Sequence, residues 1–224
     1  TSLATMIDWI NMNRYVHIIT IEDPLEYIHP HKKCIVSHRE LHVDTPSFSY
    51  ALRGALRQDP DVILVGEMRD LETMEAGLHA AETGHLVFAT LHTIDASSTV
   101  DRFIDAFPAN QQEQVRSVMS VALKTIVAQT LVPHASGKGR RAAYEILHNV
   151  PAVGSLIREH KTNRLFSQIQ ISAKMGMITM DDFLFQLYKK GDVTGEVALE
   201  RAHHPDQLRV KMMAHTSEME EPVV

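Results

Sequence analysis

The stretch Asp59-Pro-Asp-Val-Ile-Leu-Val-Gly-Glu-Met-Arg-Asp70 constrains the fold more than any other part of the chain. Its four apolar residues, Val62 to Val65, run without alternation, as in a strand buried on both faces of a parallel sheet. Gly66-Glu67 then places an acid at the carboxyl end of that strand, the edge where open α/β sheets bind ligands. A carboxylate held there can position Mg²⁺ or an attacking water beside a nucleotide phosphate. An acid that merely ends a strand or starts a helix leaves the same pattern, so neighbouring segments must decide.

Two of them do. His17-Ile-Ile-Thr-Ile-Glu-Asp-Pro-Leu-Glu-Tyr27 is a second short buried-strand pattern, and it ends in the acids Glu22, Asp23 and Glu26. Pro24 cannot donate to a ladder and breaks the strand where the acids begin. Ala80-Ala-Glu-Thr-Gly-His-Leu-Val-Phe-Ala-Thr-Leu-His92 is a third, starting after the helix-stopping Gly84, with His85 at its entrance and His92 at its exit. Three successive strands thus deliver carboxylate, carboxylate and imidazole to one expected sheet edge.

On these segments the chain resembles the secretion-type ATPases of type IV pili, specifically the retraction group called PilT and PilU. Glu22–Tyr27 resembles the family's Asp box, Gly66–Asp70 its Walker B segment and Glu82–His92 its His box. The resemblance runs from residue 1 to about 212. Gly66-Glu-Met-Arg-Asp70 is more like PilT, whereas Gly176-Met-Ile-Thr-Met-Asp-Asp182 and His204-Pro-Asp-Gln-Leu-Arg209 are more like PilU. The resemblance implies a RecA-like α/β core with a carboxyl-terminal helical subdomain.

One departure is large. The P-loop, G-x-x-x-x-G-K-[ST], does not occur in the 224 residues. Thr1-Ser-Leu-Ala-Thr-Met-Ile-Asp-Trp-Ile10 resembles the helix that follows that loop, with Leu3, Met6, Ile7 and Ile10 on one apolar face. The expectation is a piece of a longer protein, lacking its phosphate loop and the family's amino-terminal PAS-like domain.

Composition narrows the function classes. A net charge of −6 gives no general pull toward nucleic acid. No apolar run approaches a membrane span and no signal peptide is visible. These features fit a cytoplasmic protein that reaches the inner membrane only through partners. The single cysteine, Cys34, cannot form an intrachain disulfide or a Cys-x-x-Cys metal pair. The four-cysteine zinc element of the related assembly and type II secretion ATPases, as the resemblance describes it, is thus missing between His92 and Val150.

Periodicity and turn signals predict strands at 16–22, 61–66 and 86–91, a hairpin-like region at 33–41, and helices at 46–58, 71–83, 96–106 and 111–123. Two further strands, 125–132 and 141–147, flank a Gly-containing turn. Short helices follow near 152–159, 164–174, 179–189 and 194–202. Alternating helices and strands followed by helices alone place a core at 1–148, a helical subdomain at 149–213 and an acidic, disordered tail at 214–224.

The resemblance assigns roles residue by residue. Glu26 matches the Asp-box glutamate that activates the hydrolytic water, a task suited to a carboxylate that accepts a proton while orienting water. Glu22 and Asp23 either hold the water shell of Mg²⁺ or keep Glu26 oriented; a solvated acidic turn is the alternative. Glu67 matches the Walker B acid and is expected to hold Mg²⁺ through water. His92 or His85 could bond the γ-phosphate and report hydrolysis to a neighbouring subunit, with Thr90 or Thr93 orienting the ring. Arg57 or Arg69 could neutralise charge developing in an adjacent subunit, although an ion pair within the subunit is equally expected. Dispersed histidines such as His29, His31, His38, His42, His203 and His204 lack the paired ligands of a metal site.

Pro151-Ala-Val-Gly-Ser-Leu-Ile-Arg-Glu159 is similar to the family's A-I-R-N-L-I-R-E motif, with Val153, Gly154 and Ser155 in place of Ile, Arg and Asn. Ala152, Leu156 and Ile157 are expected to form its packing face. Taken together, the resemblance implies a homohexameric ring, open to mixing with a paralogous ATPase. With ATP and Mg²⁺ it would drive pilus retraction against an inner-membrane platform protein. A catalytically silent ring subunit and a related secretion or conjugation ATPase are the alternatives.

Overall fold

The computed structural model describes residues 1–220. Its contacts divide the chain into two compact units: Thr1–His92 with Phe103–Leu123, and Thr93–Arg102 with the chain from Lys124 onward. In chain order the elements up to Leu123 are α1 (Ser2–Asn13), β1 (His17–Glu22), β2 (Ile35–Glu40), α2 (Phe48–Ala55), β3 (Val62–Val65), α3 (Leu71–Glu82), β4 (Leu86–Ala89), α4 (Ala96–Asp105) and α5 (Gln112–Ala122).

The first unit is built on a parallel four-stranded sheet in the order β2-β1-β3-β4. Register aligns Ile21 with Val65 and Val65 with Ala89, so the residues after each strand emerge along one edge. Ile18, Ile21, Ile63 and Val65 are fully buried, which explains why β1 and β3 lack alternation. Each such side chain contributes roughly 1.5–3 kcal/mol of burial. Helix α1 covers the sheet through Ile7, which joins Ile18, Cys34, Val36, Val62 and Leu64 in one cluster, with Leu3 and Ile10 packed beside it.

Sequence and structure part company at 33–41. The region is no hairpin: β2 runs parallel to β1, and residues 23–34 make the crossover without a helix. The mixed polarity of Ser37-His-Arg-Glu40 gave the half-exposed alternation of an antiparallel ribbon, whereas β2 is simply an edge strand. Asn11, fully buried on α1, holds the crossover. Its Nδ2 donates to Pro30 O (2.7 Å), and its Oδ1 accepts from the N–H groups of Lys32 (3.2 Å) and Cys34 (3.3 Å).

The second unit contains an antiparallel hairpin, β5 (Thr125–Pro133) and β6 (Arg140–His148), then α6 (Pro151–Arg158), α7 (Leu165–Ile171), α8 (Met180–Lys189), α9 (Gly195–Arg201) and α10 (Pro205–Glu220). Val132 and Ala143 of the hairpin share a core with Met180, Leu184, Leu187, Ala198, Leu208 and Met212. That shared core groups the hairpin with the helices, so the division falls at 123/124 where the sequence placed it at 148. Residues 214–220, expected to be disordered, continue α10, which Leu208 and Met212 anchor; 221–224 lie outside the described residues. In α6 the buried face is Val153, Gly154 and Ile157; Ala152 is exposed and Leu156 only half-buried.

Candidate functional site

The aligned carboxyl ends of β1, β3 and β4 open into a cleft of about 290 Å³. Glu22, Asp23, Glu26, Gly66, Glu67, Thr90 and His92 line it, together with the first turn of α1, Tyr27 and His29. Four of the acids and the imidazole singled out in the sequence therefore meet in one place.

Glu22 ends β1 and is 6% exposed. Its Oε2 accepts the backbone N–H of Glu26 (3.3 Å), curling Asp23–Glu26 into a turn over the sheet edge. Its Oε1 is buried with no protein partner. An orphaned carboxylate oxygen facing a cleft is costly unless a cation or water satisfies it. Asp23 and Glu26 are exposed, and neither carboxylate has a protein partner among the described residues. Glu22 thus orients the acid turn.

Glu67 follows β3, with a side chain only 17% exposed. Its Oε2 takes Arg69 at 2.7 Å and His92 Nε2 at 3.3 Å. The turn that carries it is tightly fixed. Gly66 N–H donates to Ile21 O (2.7 Å), Thr90 Oγ1 donates to Gly66 O (2.5 Å), and Met68 N–H donates to Thr90 O (3.0 Å). Asp70 then caps α3 by accepting from Thr73 N–H at 2.8 Å. A side chain at residue 66 would meet Ile21 O at 3.2 Å and Glu22 Cα at 3.3 Å, so glycine lets the two acid-bearing strand ends lie close. His92 has a left-handed φ of +52°, an unfavourable backbone for a non-glycine residue that accompanies its approach to Glu67.

Two residues named from the sequence, His85 and the Arg57 expected to act on an adjacent subunit, lie outside this chain's own cleft. His85 stands at the amino end of β4, its Nδ1 on Ala80 O (2.9 Å) and Thr83 Oγ1 (3.2 Å); it closes the end of α3 and is outside the cleft. Arg57 follows α2 beside Gln58, whose carbonyl meets the ring of His17 at the start of β1 (3.1 Å). Both residues precede a strand, which puts them at the opposite edge of a parallel sheet. Arg69 does reach the site, as an ion pair within its own chain. Thr90 braces Gly66 and Thr93 pairs with Thr99 (2.6 Å), so neither orients His92. The sequence did not single out Gly66 or His29, although a glycine directly before the acid was the available signal.

Among the described residues no group of three or more His, Cys, Asp or Glu side chains is arranged to hold a metal ion. The pair Glu22 and Glu67 instead suits Mg²⁺, which keeps most of its waters and uses one or two carboxylates beside a phosphate.

A profile of the family described as type II/IV secretion system protein matches residues 1–181. The chain belongs to that family. Within this secretion-protein family it is 52% identical to the type IV pilus retraction ATPase PilT of Pseudomonas aeruginosa, over 92% of this chain and 60% of the relative. It is 49% identical to the type IV pilus ATPase PilU of the same organism, over 94% of this chain and 55% of the relative. A crystal structure of the pilus retraction motor PilT with bound ADP matches at a TM-score of 0.87 and 53% identity, covering 93% of this chain and 59% of that one. The chain therefore spans somewhat over half the length of these relatives. Its parallel α/β sheet is the fold they share. No helix among the described residues is long and apolar enough to cross a membrane.

Proposed function

We propose that the chain carries the hydrolytic edge of an Mg²⁺-dependent ATPase that powers type IV pilus retraction. The observation that carries this reading is the convergence of Glu22, Glu26, Glu67 and His92 on one cleft at the carboxyl edge of a parallel sheet. Glu26 accepts the proton of the attacking water. Glu22 holds the Glu26 backbone in place and, with Glu67, would hold the water shell of Mg²⁺. Mg²⁺, when bound with ATP, neutralises charge on the β- and γ-phosphates. His92, held against Glu67, would contact the terminal phosphate, and loss of that phosphate would return its ring to Glu67. Arg69 neutralises Glu67.

The similarity to PilT and PilU supports a homohexameric ring in which such contacts pass between subunits, open to a paralogous ATPase and acting on an inner-membrane platform protein. The 224 residues hold no Gly-rich loop or Lys to cradle the phosphates, so alone they should hydrolyse ATP negligibly. The full product of the gene should release phosphate in the presence of Mg²⁺. In it, Glu26→Gln should lower kcat far more than nucleotide affinity, because proton transfer to Glu26 belongs to the transition state. Equal losses of affinity and turnover would make Glu26 a structural residue and sink the assignment.

A further inference from the structure

The acid turn is tied down at its far end by a half-buried histidine that the proposed chemistry does not use. His38 on β2 pairs in register with Thr20 on β1. Its Nδ1 lies 2.8 Å from Thr20 Oγ1, and Thr20 is fully buried, two residues before Glu22 on the same strand face. Its Nε2 reaches over the crossover to the backbone of His29, 3.2 Å from the N–H and 3.3 Å from the carbonyl. The two imidazoles stack, with centroids 6.1 Å apart and planes inclined by 16°. His29 itself is 7% exposed and lines the cleft.

These bonds close a frame. At the front, the Glu22 carboxylate accepts the Glu26 N–H. Three residues after Glu26, the His29 backbone is fastened through His38 to Thr20. Both anchors arise from β1, so the turn that bears Glu26 is referenced at each end to the strand that carries Glu22. The buried Thr20 hydroxyl and the half-buried His38 imidazole contribute less packing than two apolar side chains of the same size, yet each has its partner. Such a satisfied polar chain fixes direction, which apolar contacts do not.

We propose that His38 is a positioning residue: by linking Thr20 to the His29 backbone it sets the placement of the Glu26 carboxylate over the cleft. The inference rests on reading Glu26 as the group that activates water.

The test is a double-mutant cycle between His38→Leu and Glu26→Gln in the full product of the gene, reading kcat and the Kd for Mg-ADP. Leu fills the imidazole's place without hydrogen bonds. A misplacement of a fraction of an ångström predicts about a tenfold fall in kcat, with Kd changed by less than about twofold. In the Glu26→Gln background the same substitution should cost nothing further, since there is no base left to misplace. His38→Gln, which retains a donor and an acceptor, should recover most of the lost turnover. Should His38→Leu fail to fold, Thr20→Val breaks the inner end of the link at nearly constant shape and carries the same cycle. A tenfold loss that persists undiminished with Glu26→Gln, or a parallel loss of Mg-ADP affinity, overturns the positioning role. Wild-type turnover by Glu26→Gln alone overturns the reading of Glu26, a separate outcome.

Discussion

Replacing Gly66 by alanine probes the spacing of the two acid-bearing strands without touching either acid. The added Cβ would sit 3.2 Å from Ile21 O and 3.3 Å from Glu22 Cα, both main-chain atoms that cannot swing aside. Relief to an ordinary contact of about 3.5 Å requires the end of β1 to withdraw by about 0.2–0.3 Å. Gly66 cannot yield instead, because its N–H is held by Ile21 O at 2.7 Å and its carbonyl by Thr90 at 2.5 Å. So small a shift belongs at the low end of overpacking costs, about 1 kcal/mol, or roughly 2–4 °C in Tm for a chain of this size. Catalysis should be more sensitive. If a displacement of about 1 Å costs about 100-fold, this one predicts a kcat reduced about 2.5- to 4-fold. Gly54→Ala is the control: nothing lies within 4 Å of its Cβ, so in the last turn of α2 it should stabilise by about 0.5 kcal/mol and leave kcat alone. Thermal melts and steady-state phosphate release by the full product of the gene provide both numbers. Unchanged kcat for Gly66→Ala, beside a clear fall in Tm, would refute the claim that this approach sets the site geometry.

Further outcomes follow from the same contacts. His92→Ala removes one of the two partners of Glu67 and should leave nucleotide binding largely intact while lowering turnover. In mixed rings, activity should fall faster than the mutant fraction rises, and a strictly proportional loss would confine His92 to its own subunit. Burial, and then the neighbouring His38, lower the pKa of His29 below its ordinary 6.5. The folded state therefore binds this proton less readily than the unfolded state. Stability from this group is complete above pH 6.5 and is lost as pH falls toward the depressed folded value. His29→Phe keeps an aromatic ring in place and should flatten the pH dependence of Tm between pH 7.5 and 5.5; an unchanged slope would contradict the assignment.

Much of the site was legible in the sequence because parallel strands deliver their following residues to one edge. Glu22, Glu67 and His92 each come directly after, or within three residues of, a strand's end, and all reach the cleft. The same logic, applied to direction, would have removed His85, which precedes a strand and lies at the other edge. Short-range patterns could not reveal that residues 23–34 form a crossover held by Asn11, because that buried amide acts across 19 to 23 residues of chain. Nor could they show the hairpin joining the helical unit, since Val132 and Ala143 meet α8 and α10 only once the chain has folded back. The end of α10 was obscured by its acidic composition, with Leu208 and Met212 as its anchors.

The most direct measurement of the central claim is the position of the metal in crystals of the full product of the gene grown with Mn²⁺ and a non-hydrolysable ATP analogue. The anomalous signal should lie in the cleft between Glu22 and Glu67, within direct reach of a carboxylate or about 4–5 Å away through one water. A metal–nucleotide peak outside that cleft, with Glu67 still paired to Arg69 and His92, would contradict the account.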